Sequence, residues 1–195
     1  MSKTIYFVTT NKEKIKQASK SLSRFNIELK DVNLEMPESR AEDSKEIAIE
    51  KAKIAFDKLK KPVIVEDSGF YIKSLGGFPM THIKFSLKTL GIANIIKMMQ
   101  GFKTRNAEWR MSVAYCSKKN NVKTFTYIDK GSISTKLKRK KRKTMSDYWR
   151  IYIPSKFNPK NLALSEFAGK DIERREEHYA ANNQFMKFGK WFIKQ

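Results

Sequence analysis

A mixed α/β fold is predicted by three features of the sequence. An apolar run at 3–8 (KTIYFV) leads through a polar turn into a helical pattern with Ile15, Ala18, Leu22 and Phe25 on one face. The spacing then changes from helical to strict alternation across 108–116 and 122–128. Finally, Phe185, Phe188, Trp191 and Phe192 return to helical spacing near the C-terminus. The chain has 195 residues, with hydrophobic residues at 40% and aromatics at 12%, spread along its length. That is enough for one domain over 1–195 with a core of its own, and no internal repeat or linker divides it.

The elements follow in order. After the first strand and helix, Asp43 is placed as the N-cap of a second helix over about 44–60, with Glu46 three residues on. Its inward face carries Ile47, Ala52, Ala55, Phe56 and Leu59, and Pro62 closes it. The strand VIVE begins at once and is expected to end at its acids. Leu87, Leu90, Ile95, Ile96 and Met99 predict a helix over 86–100, interrupted near Gly91. The runs EWRMSVAYC and VKTFTYI read as antiparallel strands joined through SKKNN, and a short strand near 150–153 stops at Pro154.

Charge is the most unusual property. The chain carries +21, and the block KLKRKKRK, from Lys136 to Lys143, supplies seven of those charges, so the remainder still carries +14. A field of this sign attracts polyanions: nucleotides, nucleic acid or an acidic surface. The block is a candidate nucleic-acid contact, although with no aromatic inside it a solvated basic loop fits equally. Cys116 is the single cysteine and only His82 and His178 are present, which excludes an internal disulfide and a structural Cys/His zinc site. No run approaches the ~20 apolar residues of a membrane span, and a cytoplasmic protein without membrane contact is expected.

Three islands combine charge with a strand end or a glycine turn. Thr9, Thr10, Asn11, Lys12, Glu13 and Lys14 follow a buried strand and open a helix, where backbone N–H groups and a lysine can cradle an anion; a capped helix with solvated lysines is the alternative. Glu66, Asp67, Ser68, Gly69 and Phe70 place adjacent carboxylates after an apolar strand, a combination suited to a hard cation, or to a solvated turn. Leu75, Gly76, Gly77, Phe78 and Pro79 form a turn that lets backbone approach a ligand and then offers Lys84 as a cation, or a plain turn.

In this order the islands resemble the inosine and xanthosine triphosphate pyrophosphatase family. Thr9, Asn11 and Lys14 match its T-x-N-x-x-K turn, residues 66–70 its acidic D/E-D-S-G-[LF] segment, and Leu75, Gly77 and Pro79 its L-x-G-x-P-G turn, with Met80 in place of the last glycine. Pro37 and Glu38 stand where the family has P-E-x-Q-G, with Ser39 and Arg40 replacing Q-G. The resemblance implies an elongated, two-lobed mixed sheet with flanking helices and a central cleft, commonly as a homodimer. It further implies hydrolysis of nucleoside triphosphates to monophosphate and pyrophosphate with Mg²⁺. By that resemblance Glu38, Glu66 and Asp67 hold the metal. Asp67, Glu66 and Lys14 are the catalytic candidates, with Asp67 orienting or deprotonating the water. Thr9, Asn11, Lys14, Ser68 and Lys84 contact substrate.

The second half departs from the pattern. Where the family has G-F-G-[YW]-D-P before I-F-I-P, the chain reads MSDYWR followed by IYIP, and only the aromatic Tyr148 and the trailing strand persist as candidates. The family's late S-H-R triplet has no clear counterpart; the nearest stretch is ERREEHYAANN, which contains His178. Tyr148 and His178 are therefore candidate substrate contacts in an altered base pocket. Arg174, Arg175 and His178 either replace the missing cation or form pairs on an exposed helix face. Trp109, Trp149 and Trp191 are base-stacking candidates, at least two of which fit the core better. The alternative reading of the whole chain is a lapsed relative that binds nucleic acid or nucleotide through its basic surface.

Overall fold

The computed structural model describes residues 3–37, 39 and 41–195. Among these, the strands form one seven-stranded mixed sheet in the order β2-β1-β3-β5-β6-β7, with β4 paired to β3. They are β1 (Lys3–Val8), β2 (Ile27–Val32), β3 (Val63–Ile72), β4 (Pro79–Met80), β5 (Asn106–Lys118), β6 (Asn121–Ile133) and β7 (Tyr152–Pro154). The helices are α1 (Lys12–Leu22), α2 (Ser44–Leu59), α3 (Ile83–Thr89), α4 (Gly91–Met98), α5 (Gly169–Asn182) and α6 (Gln184–Phe192). No helix among the described residues is long and apolar enough to cross a membrane. The mixed α/β class read from the sequence is the class observed.

The chain divides into two compact units. The first comprises Met1–Ser68, Met111–Tyr127 and Tyr179–Gln195; the second comprises Gly69–Arg110 and Ile128–His178. Within the first unit, β1 pairs in parallel with both β2 and β3. Alternation along a strand sends successive side chains to opposite faces of the sheet. Ile5, Phe7, Ile64 and Val113 accordingly join α1 and α6 in one cluster with Ala18, Leu22, Phe185 and Phe188. Val8, Val63, Val65, Ala114 and Cys116 face the other way, against Ala48, Ala52 and Ala55 of α2.

The second unit has its own core, formed by Phe70, Ile72, Ile92, Ile95, Ile133, Tyr148 and Tyr152 with their neighbours. The helix expected over 86–100 is two helices, because Gly91 adopts φ +71°, a left-handed conformation that glycine enters without steric cost. At the β6–β7 pairing, Gly131 sits opposite Pro154, and a Cβ on it would collide with the Ile153 carbonyl oxygen. Met80, where the family motif has glycine, keeps φ +55°. The turn thus retains the backbone shape that glycine favours, with a side chain that must tolerate it.

Two expectations are corrected here. β3 does not end at its acids but runs on to Ile72, since Phe70 and Tyr71 pair antiparallel with Met80 and Pro79. The hairpin strands β5 and β6 are also longer than the alternating runs and meet at a turn around Lys119 and Asn120, where Asn120 takes φ +60°. Trp191 packs against the first unit's core, and Trp109 and Trp149 against the second's, so all three tryptophans lie beside apolar clusters.

Candidate active site

The first unit gathers the acidic island and the N-terminal turn. Glu66 and Asp67 are consecutive on β3 and meet lysines from different helices, yet both carboxylates lie close enough to Lys14 to act on its charge. Glu66 is buried, with 6% of its surface exposed, on the side of α1; its Oε2 lies 2.6 Å from Lys14 Nζ. Lys14 Nζ also donates to the Glu66 carbonyl oxygen at 3.3 Å, and Gln184 at the start of α6 donates to Oε1 at 3.4 Å. Beyond the Lys14 ion pair, Glu66 Oε2 has no other polar partner. On the α2 side, Lys51 donates to Asp67 Oδ2 at 2.8 Å, while the Ser68 N–H donates to Oδ1 at 2.9 Å.

Burial pushes the Glu66 carboxyl above the usual carboxylate range, with Lys14 pulling the other way. For Lys14, burial favours the neutral amine, but the Glu66 and Asp67 carboxylates outweigh it and leave the ammonium pKa raised. The arrangement is a positively charged lysine beside an acid of increased proton affinity. A second acid is held half-buried by another lysine.

The N-terminal turn differs from a bare anion cradle. Asn11 is the N-cap of α1, its side-chain oxygen accepting from the N–H groups of Glu13 at 3.0 Å and Lys14 at 3.3 Å, while Thr9 Oγ1 accepts from Asn11 N–H. These donors close the helix end rather than pointing open. Thr9 and Asn11 fix where α1 starts, and thereby where Lys14 stands.

The remaining candidates fall elsewhere. Glu38 lies outside the described residues, and no group of three or more His, Cys, Asp or Glu side chains among the described residues is placed to hold a metal. Lys84 is exposed on α3. Tyr148 is fully buried in the second unit's core, its ring 4.8 Å from Phe70 and its hydroxyl 2.8 Å from Ser86 Oγ, so it presents no face to a base. His178 stacks on Phe157 at 4.2 Å. Burial, then the charges of Arg175 and Lys156, pushes its pKa down. Arg175 is not on an exposed face: it is buried and paired with Asp129 of β6, with a further bond to the Lys156 carbonyl oxygen at 3.2 Å. Arg174 is exposed.

Lys51 and Gln184 were not singled out in the sequence. Lys51 had a signal: it lies four residues after Ile47 and four before Ala55, inside the inward stripe of α2. Gln184 had a weaker one, an Asn183 cap directly before an aromatic helix.

With this geometry in place, comparison with known proteins is decisive for ancestry. The family model described as the Ham1 family matches residues 5–186. The chain belongs to the Ham1 family. A dITP/XTP pyrophosphatase of Methanopyrus kandleri is 36% identical over 130 residues, 67% of this chain and 69% of that protein. Another from Ignicoccus hospitalis is 29% identical over 194 residues, 97% of both chains. Among solved structures, a HAM1 protein from Coxiella burnetii superposes with a TM-score of 0.77 at 17% identity, covering 99% of this chain and all of that one. The Staphylococcus aureus Ham1 protein gives 0.75 at 17%, covering 97% and 98%. These two likenesses establish a shared Ham1 fold.

Proposed function

We propose that this chain is a Mg²⁺-dependent pyrophosphatase of non-standard purine nucleoside triphosphates, with Asp67, Glu66 and Lys14 as its working groups. The observation that carries the reading is the buried Glu66–Lys14 pair beside Asp67–Lys51, in a Ham1 chain whose relatives are named dITP/XTP pyrophosphatases. In the reaction, the oxygen of water bonds to the α-phosphorus, the bond from that phosphorus to the bridging oxygen breaks, and pyrophosphate leaves the nucleoside monophosphate.

Each residue has a task its environment supports. Asp67 is reachable from solvent and held at both oxygens, which suits it to orient water and accept its proton. Lys14, kept charged by the two acids, offers a cation to phosphate oxygens. The donor set suits a hard divalent ion, because Glu66 and Asp67 are adjacent carboxylates, each already facing a cation. Glu66 and Asp67 would hold Mg²⁺, which would neutralise charge on the phosphate chain. Ser68 fixes one Asp67 oxygen through its N–H.

The base preference is altered. Arg175 is occupied by Asp129 and cannot supply the cation of the missing triplet. A lost hydrogen bond to a charged group costs about 1.5 to 3 kcal/mol, so preference for inosine over adenosine triphosphate should fall by about one to two orders of magnitude from that of a relative with the triplet. Pyrophosphate release with Mg²⁺ is to be measured over inosine, xanthosine, guanosine and adenosine triphosphates, for the wild type and Asp67→Asn. The wild type is expected to turn over with low base selectivity and the variant to lose at least ~100-fold in kcat/KM. Near wild-type turnover by the variant would remove Asp67 from the chemistry.

A further inference from the structure

The block KLKRKKRK is not a free loop. Within the second unit, the Lys138 N–H donates to the Arg150 carbonyl at 3.0 Å and Arg150 Nε returns a bond to the Lys138 carbonyl at 3.1 Å. The Lys141 N–H donates to the Ser165 carbonyl at 2.9 Å, and Ser165 Oγ donates to the Arg139 carbonyl at 3.0 Å. Ser134 Oγ holds the Lys136 carbonyl at 2.8 Å, and the Arg142 guanidinium lies over the Trp149 ring at 4.9 Å. The backbone of the block is thus fixed along its length by the segments around residues 150 and 165.

That anchoring sorts the charges. Lys138 pairs with Glu166 at 3.6 Å, Lys140 with Asp147 at 2.5 Å, and Arg142 is half-buried against Trp149. Lys136, Arg139, Lys141 and Lys143 remain exposed, and among the described residues none of them has an acidic partner within an ion-pair distance. Four like charges held close together on a fixed backbone repel one another, a cost that an anionic partner removes.

We infer that this strip binds the phosphodiester backbone of nucleic acid, independently of nucleotide hydrolysis. An anchoring surface for a bilayer would use an amphipathic helix with an apolar face, and the block contains no helix. A protein interface would centre on an apolar patch, whereas the exposed apolar side chains here are Leu137 and Met145, at the block and just beyond it. A linear polyanion requires only cations in fixed positions, and contact through them is sequence-independent and salt-dependent.

The test is fluorescence anisotropy of a labelled 20-nucleotide strand and a 20-base-pair duplex between 50 and 200 mM salt, with phosphatidylserine vesicles as a third arm. The variant changes Lys136, Arg139, Lys141 and Lys143 to Ser, which removes side-chain charge and keeps the backbone bonds. A control variant changes the exposed Lys16, Lys20, Lys123 and Lys190 of the first unit to Ser. Four phosphate contacts to a single strand correspond to a log–log salt slope of about 3, or about 50-fold in affinity across that range. The strip variant should lose this, the control should keep it, and both should hydrolyse nucleotides as the wild type does. No binding at 50 mM salt, equal losses in the two variants, or tighter binding to vesicles than to either nucleic acid would overturn the proposal.

Discussion

Glu66 in the first unit and Asp129 in the second are both buried carboxylates on strands, each facing a cation from a helix. Burial pushes both carboxyls above their ordinary range. Their partners differ. Lys14 is a point charge on a flexible stem with 20% of its side chain exposed, and a second acid–lysine pair lies one residue along the strand. Arg175 is a planar fork with 6% exposed, engaged by both Asp129 and the Lys156 carbonyl. A lysine at the edge of burial can turn toward an arriving phosphate; an enclosed guanidinium cannot leave without stranding its acid. The first pair is arranged for exchange of partners and the second for closure.

Substitutions that neutralise one member of each pair separate these roles. Glu66→Gln removes a charge from the proposed metal and phosphate site, and should lower kcat/KM by at least ~100-fold. Its effect on stability should be modest, since burial works against the Glu66 charge and Lys14 keeps 20% of its side chain exposed. Urea unfolding beside a pyrophosphate assay decides the point. A variant that unfolds early yet retains its turnover would make Glu66–Lys14 a structural pair like the other.

Arg175→Leu should act in the opposite sense, with normal turnover per folded molecule and a loss of about 3 to 5 kcal/mol in stability near neutral pH, because Asp129 is left buried and unpaired. The pH dependence has a definite sign. A carboxyl whose folded pKa exceeds its unfolded value favours folding most below the unfolded value, and that contribution is lost as pH rises through the folded value. Asp129 is such a group, raised by burial, and losing Arg175 removes the largest of the influences that lower it. The deficit should therefore shrink toward pH 4 and grow toward pH 7, and Asp129→Asn in the same background should recover much of it. A deficit independent of pH would mean that the lost packing of the arginine stem, and not the orphaned charge, is what matters.

How much of this was legible follows from which interactions are local. β1, the Asn11 cap and α1 are encoded within about twenty consecutive residues, and the fold class follows from such local patterns there, in the β5–β6 runs and near the C-terminus. β3 looked as if it ended at Glu66 and Asp67 because two adjacent charges are unwelcome inside a strand; their stabilising partners, Lys14 and Lys51, lie on other elements. Arg175 could be read only as a replacement for the missing cation or as a charge on an exposed helix face for the same reason, since Asp129 is 46 residues away. In the basic block the sequence shows the charges but not the carbonyl bonds that fix them. Local chemistry was readable, and pairing across elements was not.

Tyr148→Phe carries the smallest expected effect and bears on the second unit. The sequence made Tyr148 a candidate base contact, by its match to the aromatic of the family's loop. In the fold its ring is enclosed by Phe70 and the surrounding core, and its hydroxyl reaches Ser86 Oγ, which also donates to the Ile83 carbonyl at 2.9 Å. Burial pushes the phenol up to about 12, beyond the range in which an exposed tyrosine ionises. Removing the hydroxyl keeps the ring and its packing, and leaves Ser86 its bond to Ile83, so the loss should be about 1 kcal/mol of stability. The kcat/KM values for the nucleotide panel should change less than about twofold, well under the factor of ten that 1.4 kcal/mol of lost transition-state binding would give. Equilibrium unfolding and the panel assay together test this. If KM for one base shifts tenfold while stability holds, Tyr148 reaches the nucleotide after all, and the core around Phe70 must open to let it.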